Sequence, residues 1–127
     1  MSALARRVAM SSPAVTERVQ RLERAGVITG YRMEVDPAAL GLPVAAFVRV
    51  RPSAGQLAKI AELADSLAQV SECHRITGED CYLLRAHVRS MTHLEELLDE
   101  LAPFGQTTTS IIQSSPVPLR GVSLTRE

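Results

Sequence analysis

Val44-Ala45-Ala46-Phe47-Val48-Arg49-Val50-Arg51 is the stretch that decides the fold. Val44, Ala46, Val48 and Val50 alternate with Ala45, Phe47, Arg49 and Arg51. A period of two over eight residues marks a strand with one buried face. Downstream, Pro52-Ser53-Ala54-Gly55 ends the strand, and residues 56–67 carry Leu57, Ile60, Leu63, Ala64 and Leu67 at helical spacing. Residues 70–77 read as a second strand, Gly78-Glu79-Asp80 as a hairpin turn, and residues 81–89 as a third strand with Tyr82, Leu84, Ala86 and Val88 on one face. Thr92 followed by Glu95 has capping-box spacing for a helix whose apolar side is Leu94, Leu97, Leu98 and Leu101. Glu95, Glu96, Asp99 and Glu100 take its water side. Pro103 and Gly105 stop it. Residues 106–115 form a fourth strand, and Pro116 and Pro118 open a tail. The order β-α-β-β-α-β is the split, ferredoxin-like layout, with both helices on one face of an antiparallel sheet. The other face is expected to be apolar, with Ala45, Phe47, Leu83 and Ile111, and Cys73 as a further member. A two-fold dimer packing sheet on sheet is the simplest cover for it.

Upstream the pattern changes. Asp36-Pro37 breaks the chain and Ala38-Ala39-Leu40-Gly41 makes a short turn. The expected division is 1–36, a linker at 37–43, and 44–127. Within the first part, Ser12-Pro13-Ala14-Val15-Thr16-Glu17-Arg18-Val19-Gln20-Arg21-Leu22-Glu23-Arg24-Ala25-Gly26 reads as a short basic helix. Ser12 is the expected cap, Pro13 suits the first helical position, and Gly26 permits a left-handed exit. Val15, Val19 and Leu22 share an apolar edge. Residues 2–10 read as a preceding helix with Leu4 and Val8 on one side and Arg6 and Arg7 on the other. Two short helices joined by a tight turn form a helix-turn-helix, whose second helix lies in the major groove. On spacing alone, a plain helical hairpin with a solvated basic face fits equally. Residues 27–35 alternate loosely around Thr29-Gly30 and are expected to form a small β-ribbon, or wing.

The totals agree with a globular protein: 127 residues, 46% hydrophobic and 22% charged. Aromatics are 3% with no Trp, which disfavours binding of single strands by base stacking. Formal net charge is zero but uneven. Up to Met33 six arginines face only Glu17 and Glu23, a net of +4, and the remainder carries −4. A basic arm on an acidic body points to a polyanion partner. Cys73 and Cys81 make no disulfide framework and no metal spacing. With no signal peptide and no apolar run of membrane-spanning length, a cytoplasmic protein with reduced thiols is expected.

Together these residues resemble the Lrp/AsnC, or feast/famine, family of transcription regulators. The resemblance is carried by Leu4-Ala5-Arg6-Arg7-Val8, by the helix from Ser12 to Glu23, by Gly26-Val27-Ile28-Thr29-Gly30-Tyr31 and by Asp36-Pro37-Ala38-Ala39-Leu40-Gly41. It continues through Glu72-Cys73-His74-Arg75-Ile76-Thr77-Gly78, Tyr82-Leu83-Leu84-Arg85 and Thr107-Thr108-Thr109-Ser110-Ile111. It runs in order along nearly the whole chain. It implies an α+β protein: a winged helix-turn-helix over 1–36, then a ferredoxin-like RAM domain with its tail over 44–127 that binds effector and oligomerises. It further implies double-stranded DNA as partner, an amino acid or related metabolite as effector, no other cofactor, and a homodimer assembling further, up to an octamer. Family members usually carry one more helix before Leu4. The DNA-binding part is therefore expected to lack its first helix, and Leu4, Val8, Val15, Val19 and Leu22 to lose part of their packing. That leaves an alternative reading: a stand-alone RAM-type ligand-binding and assembly module with a non-functional DNA arm.

Candidate contacts follow. Thr16, Glu17, Gln20 and Arg21 are placed for base edges, since Gln and Arg can bind A and G through two hydrogen bonds. Arg6, Arg7, Arg18 and Arg24, with Ser12 at the helix start, suit phosphates. Glu17 paired with Arg21 at i, i+4 is an equally good reading of those two. By resemblance, the effector site is Thr77, Gly78, Glu79 and Asp80 with Thr107 and Thr109. Glu79 and Asp80 would accept an ammonium; backbone N–H groups and the Thr hydroxyls would hold a carboxylate. The plainer reading is a solvated hairpin turn. His74, His87 and His93 fall on separate elements and form no metal set. Cys73 and Cys81 are expected to be buried small apolar groups. No nucleophile, phosphate loop or metal motif supports an enzyme.

Overall fold

The alternation around Val48 places the first strand of a four-stranded antiparallel sheet. The computed structural model describes residues 11–123 of the chain. β1 (Val44–Pro52) leads through α1 (Leu57–Ser66) to β2 (Val70–Arg75), then by a hairpin to β3 (Tyr82–Val88), α2 (Met91–Leu101) and β4 (Gly105–Ile111). Strand order is β2-β3-β1-β4, so the strand that follows each helix sits at an edge. β2, β3 and β4 end one to four residues short of the expected bounds, whereas β1 runs one residue further, to Pro52, and β4 starts one residue earlier, at Gly105. The element order is the ferredoxin-like order.

Register explains the core. Val48 faces Leu84, Ala46 faces Ala86 and Val50 faces Tyr82 across β1 and β3. Those side chains share one face, and all six are buried there. Ile60 and Ala64 from α1 and Leu101 from α2 complete one cluster with Val48, Val50, Tyr82 and Leu84. Leu94 and Leu97 cover Ala46, Ala86 and Val88 in the second. The Tyr82 hydroxyl donates to the Leu57 carbonyl at 3.1 Å, so the buried ring keeps a partner at its polar end.

The caps differ from expectation. α2 is capped by Ser90, whose hydroxyl accepts from the His93 N–H at 3.2 Å, and Thr92 lies inside the helix. The buried His93 makes the earlier start fit: its Nδ1 accepts from the Arg89 N–H at 2.9 Å. His93 Nε2 lies 3.1 Å from the side-chain amide of Gln69. The ring joins the helix start to the segment before β2.

Two residues change sides. Ile111 pairs with Ala46 and Cys73 with Leu84, so both lie on the helix side and not on the uncovered face. Cys73 is moreover exposed, on an edge strand beside an open groove between β2 and α1. The uncovered face carries Ala45, Phe47 and Leu83, but also Arg49, Arg85 and His87. It is less apolar than the sequence led us to expect.

The chain divides after Glu34 into two compact units. In the first unit, α3 is introduced as Ser12–Arg24. Ser11 is its cap, accepting from the Ala14 N–H at 3.4 Å, so the helix starts one residue before expectation and Ser12 is its first residue. It ends in a Schellman motif: the Gly26 N–H donates to Glu23 and the Val27 N–H to Leu22. Residues 25–36 contain no strand, so the expected wing is absent among the described residues. Val27, Tyr31, Met33 and Val35 are all exposed. With no face to bury, an isolated hairpin there has nothing to hold it. The expected helix over 2–10 lies outside the described residues.

Gly105 is required by close approach. A Cβ there would sit 2.5 Å from the Arg51 carbonyl oxygen. Gly105→Ala is expected to cost about 1–3 kcal/mol in urea denaturation, and a change within error would remove this constraint. His87 supplies a pH test. Its Nδ1 is buried without a hydrogen-bond partner, and burial first, then the Arg85 charge, lowers its pKa against a smaller opposing effect of Glu72. The unfolded chain then takes the proton first. Stability from this group is full above about pH 6.5 and falls as pH drops through that value. His87→Phe should flatten the pH dependence of Tm between about pH 7 and 5; an unchanged slope would contradict it.

Candidate functional site

The basic helix Ser12–Arg24 presents two unlike sides. Val15 is buried, and Val19 and Leu22 are partly buried along one edge. Glu17, Arg18, Gln20, Arg21 and Arg24 are exposed. Arg21 and Arg24 lie in the last turn, where positive charge complements the helix dipole. Three of the expected base-reading side chains are engaged locally. The Arg21 guanidinium donates to Glu17 at 3.2 Å, with both side chains about two-thirds exposed, so the pair is readily exchanged for another partner. The Thr16 hydroxyl donates to the Ser12 carbonyl at 2.9 Å, a bond that occupies its proton within the helix. Gln20, Arg18 and Arg24 remain turned to solvent. Arg6 and Arg7 lie outside the described residues. Tyr31 is tied to the end of this helix, its hydroxyl donating to Glu23 at 3.0 Å. That hydrogen bond raises the phenol pKa.

The hairpin turn between β2 and β3 is longer than Gly78-Glu79-Asp80. The Ile76 N–H donates to the Cys81 carbonyl, and both Gly78 and Cys81 have positive φ, at 103° and 53°. Space beside Gly78 is open, so its backbone is approachable. Glu79 and Asp80 are not vacant acceptors. Arg51 Nη2 donates to Glu79 at 2.7 Å, and Arg51 Nε lies 3.8 Å from Asp80. Arg51 is the residue that reading the sequence missed. Its signal was the Arg49, Arg51 alternation at the end of β1, which brings a cation level with the turn 28 residues later.

Thr107 and Thr109 share one side of β4, as expected, but not the side of the turn's acids. Thr109 pairs with Val48, whose side chain points into the helix layer. Arg51 pairs with Gln106 and belongs to the other face. Thr107 and Thr109 therefore lie on the sheet face opposite to Arg51, the residue that Glu79 holds. No group of three or more His, Cys, Asp or Glu among the described residues has metal-binding geometry, and no described helix is long and apolar enough to cross a membrane.

Comparisons with known proteins bear on both units. The Lrp/AsnC ligand binding domain model matches residues 45–122, and a winged helix-turn-helix DNA-binding model matches residues 1–29. The HTH-type transcriptional regulator LrpC of Bacillus subtilis is 35% identical over 114 residues, spanning 90% of this chain and 79% of that protein. Its solved structure superposes with a TM-score of 0.79 at 31% identity, covering 98% of this chain and 84% of that one. A feast or famine regulatory protein from M. tuberculosis, complexed with L-methionine, superposes with a TM-score of 0.72 at 31% identity over 95% of this chain and 84% of that chain.

The Arg51 contacts give a direct test. The Arg51 and Glu79 side chains are 49% and 83% exposed, so Arg51→Gln should change unfolding free energy by no more than about 1 kcal/mol. A larger loss in urea denaturation would show that the pair holds the hairpin in place.

Proposed function

The chain belongs to the Lrp/AsnC family of winged helix-turn-helix regulators, and from that premise we propose that it is a cytoplasmic, DNA-binding transcription regulator governed by an amino acid or a related metabolite. The observation that carries the reading is the helix Ser12–Arg24. It is capped at both ends, its apolar edge is turned inward, and Arg18, Gln20, Arg21 and Arg24 are exposed together. In this reading residues 1–36 bind double-stranded DNA, 37–43 link, and 44–127 bind effector and oligomerise. Gln20 and Arg21 read base edges, with Arg21 exchanging Glu17 for a guanine; Arg18 and Arg24 hold phosphates.

The effector reading draws on the L-methionine bound to the M. tuberculosis relative. Arg51, which holds Glu79 of the turn, stands on the sheet face opposite to Thr107 and Thr109. A site using all six expected effector residues is then built between copies, with the turn of one chain meeting β4 of another. Such a site makes ligand binding and assembly one equilibrium. The sheet face with Ala45, Phe47 and Leu83 is the surface for a two-fold dimer.

Binding of the full chain to its own upstream DNA, followed by fluorescence anisotropy across a salt series, tests the first part. Affinity should fall linearly in log–log form as phosphate contacts are lost. Arg21→Ala should cost ~1–3 kcal/mol on specific DNA and relax base preference, whereas Arg18→Ala should weaken all DNA about equally. Equal loss on specific and random DNA for Arg21→Ala removes its base-reading role. No salt-sensitive binding at all leaves the stand-alone ligand-binding module as the reading. For the sensor, a thermal-shift screen of amino acids should give a hit that both Gly78→Val and Thr109→Ala abolish, and an undiminished response in both displaces the site.

A further inference from the structure

On the helix side of the sheet, away from the face left for packing between copies, an open groove of about 490 Å³ runs between α1 and the edge strand β2. From α1 come Ala61, Ala64 and Asp65; from the sheet come Val70, Cys73, Arg75 and Tyr82. Register explains why it is open. Cys73 and Arg75 pair with Leu84 and Tyr82, so their side chains share the helix side. Opposite them α1 offers the methyl groups of Ala61 and Ala64, which are too small to fill the space.

The groove carries charges of opposite sign at its two ends. Asp65 stands in the last turn of α1, joined to the start of β2 by residues 67–69, and Arg75 closes β2. Both are exposed, and among the described residues neither makes an ion pair or a side-chain hydrogen bond. Glu72 also borders the groove, but its carboxylate is turned to His74 Nε2 at 3.3 Å. Between the charged ends the floor is apolar, formed by Ala61, Ala64, Val70 and the Tyr82 ring. The Tyr82 hydroxyl is already committed to the Leu57 carbonyl.

The separation of the two charges selects the ligand. From Ser71, at the Asp65 end, to Arg75 is four residues of strand, about 13 Å at ~3.3 Å per residue. An α-amino acid carries its ammonium and carboxylate on one carbon and cannot meet both ends. An extended dipeptide sets its termini about 7 Å apart, and the side chains of Asp65 and Arg75 span the remainder. Charge-assisted hydrogen bonds then fix its direction, with the ammonium at Asp65 and the carboxylate on the guanidinium of Arg75.

We propose that this groove binds a dipeptide with free termini and small apolar side chains. The inference goes beyond the effector reading, because the site lies within one chain and uses none of the turn or β4 residues.

The test is isothermal titration calorimetry of the full chain with L-alanyl-L-alanine, its N-acetylated amide and L-alanine. The free dipeptide should bind more tightly than the other two. Asp65→Asn and Arg75→Gln should each weaken its binding roughly tenfold or more, the usual scale for a lost charge-assisted contact. Both side chains are exposed, and circular dichroism of the variants checks that they fold. Cys73 reports the place of binding. Trypsin separates residues 60–75, with Cys73, from residues 76–85, with Cys81, so alkylation by iodoacetamide is followed at each thiol in the unaltered chain. The dipeptide should slow labelling of Cys73 and leave Cys81 unchanged. No binding of the dipeptide, binding undiminished in both variants, or binding that leaves Cys73 labelling unchanged overturns the site. Equal affinity for the blocked dipeptide or for L-alanine overturns the ligand class. None of these results touches the effector reading, which the thermal-shift screen with Gly78→Val and Thr109→Ala decides.

Discussion

The pairing of β1 with β3 is the constraint on which everything else in residues 35–123 depends. It sets Val48 against Leu84 and Val50 against Tyr82, and so puts the valines of β1 with Leu84, Ala86 and Val88 of β3 on one side. A slip of one residue would turn Arg49 and Arg85 into the core and Val48 and Leu84 out to water. That cost fixes the register. Once it is fixed, the helices have only one face to cover, and the other face with its mixed lining of Phe47, Leu83, Arg85 and His87 is left for other business.

The same register sorts the charges. Arg51 is carried to the level of the β2–β3 turn and neutralises Glu79 and approaches Asp80. Arg85, two strand positions from His87, gains no such partner, because Glu72 opposite is drawn to His74. One arginine is thus spent on tying a loop, and the other is left as an uncompensated cation on an apolar surface. The difference arises from which carboxylates the hairpin brings within reach.

Much of this was legible in the residues. The alternation around Val48 and the spacing of Leu57, Ile60, Leu63 and Ala64 state their periods plainly, and both elements formed where read. The ordered motifs from Leu4 to Ile111 also identified the family. Terminal details were less legible. Ser11, Ser12 and Ser90, Thr92 are competing caps of similar chemistry, and a local pattern cannot rank them. The choice at Ser90 was settled by His93, which needed the Arg89 N–H. Ile111 was misassigned because the strand's last residues are polar and give no alternation to count; only its pairing with Ala46 shows its side. The expected wing had β-forming residues but no surface on which to bury them. Of the candidate effector residues, the pair Thr107 and Thr109 was read as sharing a side, yet nothing local revealed that Arg51 stands on the opposite one.

By itself, then, the sequence determined the element order, the helix-facing sides of β1 and β3 and the apolar sides of the helices, the basic helix with its Gly26 exit, and the family. These are properties of period and of residue type over short distances, and they need no partner to be read. Only the tertiary structure decided that Arg51 occupies the turn's carboxylates, that Cys73 is exposed, and that Arg85 has no carboxylate within ion-pair distance among the described residues. Those are facts about residues up to tens of positions apart. They follow from register and from how far each helix reaches across the sheet, and neither quantity is written in any one stretch of the chain.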